Sequence, residues 1–332
     1  MRGTIQHQCG IGRRCVLAVF AALAALAGAH AQSDFPTHTI KFVVPLAAGG
    51  AADIAPRIVA EKLVARWGQP VVIENRPGAG HTIGADAVAK AAPDGYTLLV
   101  TPPGPLVTSQ LLYAKLSYDP TAFVPVSIVY TGHIVLVANP KIPASNLREL
   151  IAYAKAQPNP LRYASPGAGT TPHMAGEMLN ALAGIQTTHV PYRGLAPAVT
   201  DLLAGHVDIM FDNLGNSLQY IRQGQLKVLA AAGNARIPEL PDVAPVSETY
   251  RGFNAASLLF AVAPPNTPPA IAARLSQAIA DVVSQADVKK RLENISLIAV
   301  GSTPEQTRET IEREALLWRK AIGATIAKVQ SQ

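Results

Sequence analysis

The sequence predicts an α/β protein of two lobes with a cleft between them, on three observations. Apolar strands run into glycine-rich turns that open helices, first in "IKFVVPLAAGGAADIAP" and again in "LRYASPGAGTTPHM". Strand, helix, strand, helix and strand follow one another from Thr39 to Thr101, which predicts a parallel sheet with ligand-facing loops at the strands' carboxyl ends. The chain, at 332 residues, is also long for a single core.

The elements follow from local chemistry. Thr39 to Leu46 reads as a buried strand, and "AADIAPRIVAEKLVARWG" as a helix ending at Gly68, with Pro56 near its tolerant first turn. Gly49 and Gly50 can take positive φ and keep side chains away from that helix's free N–H groups. "VVIEN" is the second strand, followed by the glycine-rich loop Arg76 to Gly84, the helix "ADAVAKAAPDG" and the strand "YTLLVTP", whose end at Thr101 must become a loop. "FVPVSIVYTGHIVLVANP" is β-rich and long enough to cross between lobes. The helix "NLRELIAYAKAQP" carries Asn146 and Glu149 at capping-box spacing. A second α/β unit then runs through "LRYAS", "MAGEMLNALAG", "QTTHVPYRG", "APAVTDLLAGH" and "VDIMFDN". After a proline-rich stretch and the strand in "AASLLFAVAPP", the tail predicts two amphipathic helices, the second capped by Thr303 with Gln306. The lobes are expected to comprise 32–137 with 254–332, and 138–253.

Residues 1–31 read as a secretory signal peptide: Arg2, Arg13 and Arg14 without an acid, an apolar run "VLAVFAALAALAG", and the small-x-small site "AHA". That run is too short for a transmembrane span of about 20 residues. Cleavage after Ala31 removes both cysteines, Cys9 and Cys15, and with them any thiol or disulfide chemistry. The loss of three arginines and no acid also takes the net charge from +6 to +3. Without basic runs, that charge argues against nucleic-acid binding and modestly favours anionic small ligands.

The chemistry-bearing residues form no catalytic set. His173 and Glu177 share a helix face, but no third ligand is placed by spacing, so the expectation is a packed or capping histidine and no metal. Ser165 lacks the G-x-S-x-G nucleophile frame. Asp208 and Asp212 lie in a strand pattern that suits edge hydrogen bonding. "GAGHTIG" lacks the frame of a dinucleotide loop, and no cofactor is expected. Arg193 is the candidate cation near the cleft, as ligand contact or as salt-bridge partner, and Tyr192 beside it either covers the ligand or packs. Asp53 either caps helix N–H groups or selects an amine or hydroxyl.

Five stretches carry a resemblance: "IKFVVPLAAGGAADIAPRIVAEKL", "VIENRPGAGHTIGADAVAKAAPDGYTLL", "RYASPGAGTTPHMAGEML", "HVPYRGLAPAVTDLLAGHVDIMFDN" and "GSTPEQTRETIEREALLWRKAI". In this order they resemble the successive motifs of the Bug family, the periplasmic solute-binding components associated with tripartite tricarboxylate transporters. The resemblance runs from about Phe35 to the C-terminus. It implies a type II periplasmic-binding-protein fold that captures a small carboxylate for membrane transporter subunits or a sensor protein, with no catalytic residues; a monomer is the default for a hinge-closing binder. It further implies a grip through backbone amides, hydroxyls and ordered water from Ala47–Asp53, Ser165–His173, Val190–Gly194 and Asp212–Asn213. The expected ligand set is Ala48, Gly49, Gly50, Asp53, Thr101, Ser165, Gly169, Thr170, Thr171, His173, Tyr192, Arg193 and Asp212. The chain departs from the family pattern at Leu46-Ala47-Ala48, at Ala52, at His81 where glycine is usual, and in the strand "SLLFAVAP", which lacks the usual Trp. These departures bear on specificity more than on fold. Two other classes stay open: a periplasmic enzyme acting on carboxylates, and an interaction protein that needs no ligand.

Overall fold

The computed structural model describes residues 35–322, so the signal peptide expected at 1–31 lies outside the described residues. The first lobe begins with β1 (Ile40–Val44), α1 (Ala51–Trp67), β2 (Val71–Asn75), a 3-10 turn (Ala79–His81), α2 (Thr82–Ala89) and β3 (Thr97–Thr101). Helical spacing of Ala55, Ile58, Val59 and Leu63 buries one face of α1. Each fully buried Ile, Val or Leu there contributes about 1.5–3 kcal/mol. Gly68 in the left-handed region ends the helix, its N–H bonded to the Val64 carbonyl.

After a short helix, α3 (Ser109–Leu112), comes β4 (Val124–Ala138), a strand of 15 residues. The second lobe follows as α4 (Leu147–Ala156), β5 (Leu161–Ser165), α5 (Thr171–Ala183), β6 (Thr187–Pro191), α6 (Leu195–Ala204), β7 (Ile209–Asn213), α7 (Leu214–Arg222) and β8 (Lys227–Ala231). The chain then passes α8 (Val246–Thr249) and returns along β9 (Ala256–Ala263), α9 (Pro269–Val283), α10 (Ala286–Glu293), β10 (Leu297–Ala299) and α11 (Pro304–Ile322).

The sheet is mixed, where the sequence pattern predicted a parallel one. The β-α-β units do pair parallel, β1 with β2 and β3, and β5 with β6 and β7. Every antiparallel pairing of these strands involves β4 or β9, the strands that travel between lobes, with β3, β7, β8 and β10 as their partners. β4 pairs with β9 from Val124 to His133 and with β7 from Ile134 to Ala138, so one strand belongs to both halves. Two strand order segments, β2-β1-β3-β9 and β7-β5-β6, thus hang from β4.

Three local readings change. The tail holds three helices, because Gln285 is extended and separates α9 from α10. The α7 helix after Asn213 adds an element to those expected, its Leu214, Leu218 and Ile221 at helical spacing. And α11 packs on β4 and α5, not on first-lobe elements alone: its Trp318 is fully buried in a cluster that includes Tyr163 and Met174. The caps agree with the sequence. Thr303 N–H donates to Gln306 and Gln306 N–H to Thr303, while Asn146 accepts from Glu149 N–H.

Candidate functional site

A small cleft opens between the lobes, as ligand sites between two lobes do. The first lobe contributes Leu46, Ala52, His81 and Pro102, the paired strands β4 and β9 contribute Tyr130, Ser257 and Leu258, and the second lobe contributes Pro166, Thr170, Thr171, Pro172 and Asn213. The N-terminal ends of α1 and α5, with the Asn213 cap of α7, therefore face one space, where positive helix-end dipoles favour an anion.

The first loop offers backbone. Ala47, Ala48 and Gly49 are exposed, and Gly49 holds φ 101°. In the first turn of α1 the Asp53 and Ile54 N–H groups bond back to the Gly50 carbonyl. Among the described residues the Ala51 and Ala52 N–H groups have no partner, as the first-turn donors of a helix do. Asp53 does not face the cleft. Its carboxylate accepts from Gly49 N–H, from Arg57 Nε and Nη2, and from Asn75 Nδ2, at 2.8–3.0 Å. Burial pushes that carboxyl up, but these donors outweigh it and leave it below the ordinary carboxylate value. Asp53 thus fixes the turn and is not available to select an amine.

The second loop is held from behind. Ser165 is fully buried and its hydroxyl meets His189 Nε2 at 2.7 Å and accepts the Gly167 N–H at 3.1 Å. That spacing has the look of a nucleophile and base, but the hydroxyl is enclosed and already committed, so it fastens the loop. His173 Nδ1 accepts the Gly169 N–H at 3.1 Å, and its ring lies 4.1 Å from that of His189. Burial lowers both imidazoles, His173 to about 4 and His189 to about 3, so both are neutral. Behind them the Tyr163 hydroxyl donates to Glu177, which answers the His173/Glu177 spacing: the two residues have separate partners. Among the described residues no group of three His, Cys, Asp or Glu side chains is placed to hold a metal.

The remaining expected residues divide. Thr170 and Thr171 line the cleft; Thr170 donates to the Gly167 carbonyl at 2.8 Å, while the Thr171 hydroxyl has no partner among the described residues. Thr101 is fully buried, with its hydroxyl on the Pro102 carbonyl. Asp212 is buried and accepts from Asn213 N–H, Asn216 and Ser217, leaving its neighbour Asn213 to reach the cleft. Burial raises Asp212 to about 6 despite those donors. Tyr192 spends its hydroxyl on Asp201 at 2.6 Å. Arg193 is exposed beside Gly194, which faces Ala47 of the first loop across the cleft mouth. The lobes touch deeper in, where Thr108 Oγ1 donates to the Gly169 carbonyl at 2.6 Å.

Residues 55–326 match the family model described as the tripartite tricarboxylate transporter family receptor. The chain belongs to this receptor family. Curated relatives include Protein BugT of Bordetella pertussis, 35% identical over 95% of this chain and 98% of that one. A Pseudomonas sp. (strain P51) protein encoded in the tcbD-tcbE intergenic region is 36% identical over 94% of each. Among solved structures, Rpa4515 of R. palustris with adipate superposes at TM-score 0.82 with 31% identity, covering 90% of this chain and 98% of its own. MatC from Rhodopseudomonas palustris with bound malate gives 0.81 at 32% identity, covering 87% and 100%. The periplasmic binding protein BugD gives 0.80 at 31%, covering 87% and 98%. The two-lobed α/β fold of these structures is the fold of this chain.

For a receptor of this family, the sequence motifs located the loops but not the floor of the cleft. Tyr130, Ser257 and Leu258 were missed, since nothing in an alternating strand says which face lines a cleft. The one available signal was the altered strand "SLLFAVAP", which contains two of the three.

Proposed function

We propose that this chain is a periplasmic receptor that closes its lobes on a small organic carboxylate, without chemistry, and delivers it to the membrane subunits of a tripartite tricarboxylate transporter. The supporting observation is the convergence, in one cleft, of unpartnered donors: the first-turn amides of α1, the Thr171 hydroxyl and the Asn213 side chain. Relatives of similar fold solved with adipate and malate support the ligand class. Arg193 at the cleft mouth attracts the anion, and a sheltered site lets a few neutral donors suffice. The moving bodies are 32–137 with 254–332, and 138–253, hinged where β4 passes from β9 to β7, with α11 of the first body also packed against α5 of the second.

A thermal-shift screen of the mature, ligand-stripped monomer against mono-, di- and tricarboxylates tests this. A ligand at about 100 times its dissociation constant adds about 2.7 kcal/mol to stability. A selective rise with one class of acid is expected; a flat response from folded protein across all of them overturns the reading.

A further inference from the structure

His81 lines the cleft from the first lobe, at the end of the 3-10 turn. Its backbone stands at φ 78°, after Ala79 at 44° and Gly80 at 60°, a region that glycine enters freely and histidine occupies only where its surroundings enforce it. Its Nδ1 is also enclosed without a hydrogen-bond partner. Two unfavourable features at one cleft-lining residue mark a position that acts on the cleft.

The ring is held in place from several sides. His81 is only 8% exposed, so its side chain does not turn out into solvent. A Cβ built on Gly104 would stand 3.5 Å from Nδ1, an ordinary contact distance, so the Gly104 backbone already backs that edge of the imidazole. The chain just before the ring is clamped as well, because a Cβ on Gly80 would stand 2.5 Å from the Ala168 carbonyl oxygen of the second lobe. Burial lowers the imidazole to about 4, which leaves it uncharged at neutral pH and unable to attract a carboxylate by charge. The bulk of the ring acts whichever nitrogen carries the proton. It takes up room in a small cleft shared with the donors Thr171 and Asn213 and with Leu46, Tyr130 and Leu258.

We propose that His81 is a specificity-determining residue whose fixed ring is a wall of the cleft and sets the greatest length of acid over which the lobes can close. The inference rests on the carboxylate reading of the cleft.

Calorimetric titration of the stripped, mature chain with two straight-chain series, succinate to suberate and butyrate to octanoate, tests it. In the series that binds, affinity should hold or rise with length up to a limit and then fall about tenfold or more at the next methylene. His81→Gly, which suits the backbone, should move that limit up by about one or two methylenes. His81→Asn, shorter than histidine and also at ease at positive φ, should move it the same way, and it serves if the glycine variant melts early. His81→Phe keeps a ring and removes its nitrogens, and should leave the limit where it is. A limit absent from the unaltered chain, unmoved in the shortened variants, or moved equally by His81→Phe overturns the role of His81 and leaves the carboxylate reading standing. Failure of every acid in both series to bind the folded, unaltered chain overturns both.

Discussion

The two loops that face each other across the cleft are built in opposite ways. The Ala47–Gly50 loop is largely exposed backbone, and its side-chain tie, Gly49 N–H to Asp53, runs down into an ion-pair network with Arg57 and Asn75. The Ser165–Thr171 loop is bonded at almost every residue, to His189, His173, Gly167 and, across the cleft, Thr108. One side is held by a charge beneath it and presents amides. The other is held by neutral imidazoles behind it and presents hydroxyls. A site of this kind can be preorganised without a buried cation, because each half fixes its donors by a separate mechanism.

The sharpest way to break the comparison is pH, through the aspartate on each side. Asp212 titrates near 6 in the folded chain against 3.8 unfolded. The folded state therefore holds its proton more tightly, and the stabilisation present below 3.8 is lost as pH rises through about 6. The loss is on the order of 3 kcal/mol. Asp53 is shifted the other way, so its contribution is present above 3.8 and disappears as pH falls through its depressed value. Urea unfolding across pH 3 to 8 should show Asp212→Asn gaining on the unaltered chain between pH 4 and 7, and Asp53→Asn losing its disadvantage only at the acid end. Parallel curves for the two variants would mean that the two aspartates are not shifted in opposite directions.

Glycine replacement separates conformation from contact. A Cβ on Gly80 would stand 2.5 Å from the Ala168 carbonyl oxygen of the opposite lobe, whereas one on Gly49 meets nothing within 4 Å. Overpacking of this size costs about 1–3 kcal/mol, so Gly80→Ala should weaken ligand binding roughly 10–100-fold by wedging the lobes apart. Gly49→Ala pays only for its positive φ, roughly 1 kcal/mol of stability, and should bind with little loss. Equal effects on affinity would place the lobe contact elsewhere.

Hydroxyl against amide is the next contrast. Thr171→Val removes a hydroxyl that no described residue uses, so affinity should fall about tenfold with stability within roughly 0.5 kcal/mol. Ala48→Ser, on the amide side, should change affinity by less than about twofold. Titration calorimetry with the ligand found in the carboxylate screen reads both.

Much of this was legible in the chain. The glycine-rich turns, the β-α-β order and the Thr303 and Asn146 caps are local chemistry, and local chemistry is what a sequence displays. Long-range pairing is not. Nothing local says that Val124 to Ala138 is one strand divided between two partners, or that "SLLF" turns Ser257 and Leu258 toward a ligand. Asp53, His173 and Tyr192 carry site-like chemistry and sit at site-like positions, yet each spends its polar atoms on Arg57, Gly169 and Asp201 in turn. A residue's type and place are visible in one dimension; whether its lone pairs are already taken is not.

The smallest effect tests whether the two loops are coupled at all. Thr108 Oγ1 donates to the Gly169 carbonyl at 2.6 Å, the bond that joins the first-lobe side to the bonded loop, and both groups are buried. Thr108→Val keeps the shape and leaves that carbonyl without the donor, a loss of about 0.5–1.5 kcal/mol from the state in which the lobes touch. The separated state does not contain the bond, so the loss falls on the closing equilibrium and lowers apparent affinity by about 2–10-fold. It should appear as faster ligand release, since the bond is made after encounter. Stopped-flow dissociation distinguishes the cases: a raised release rate with unchanged association supports a latch between the lobes, while a drop in melting temperature with unchanged release means the bond belongs to the resting fold.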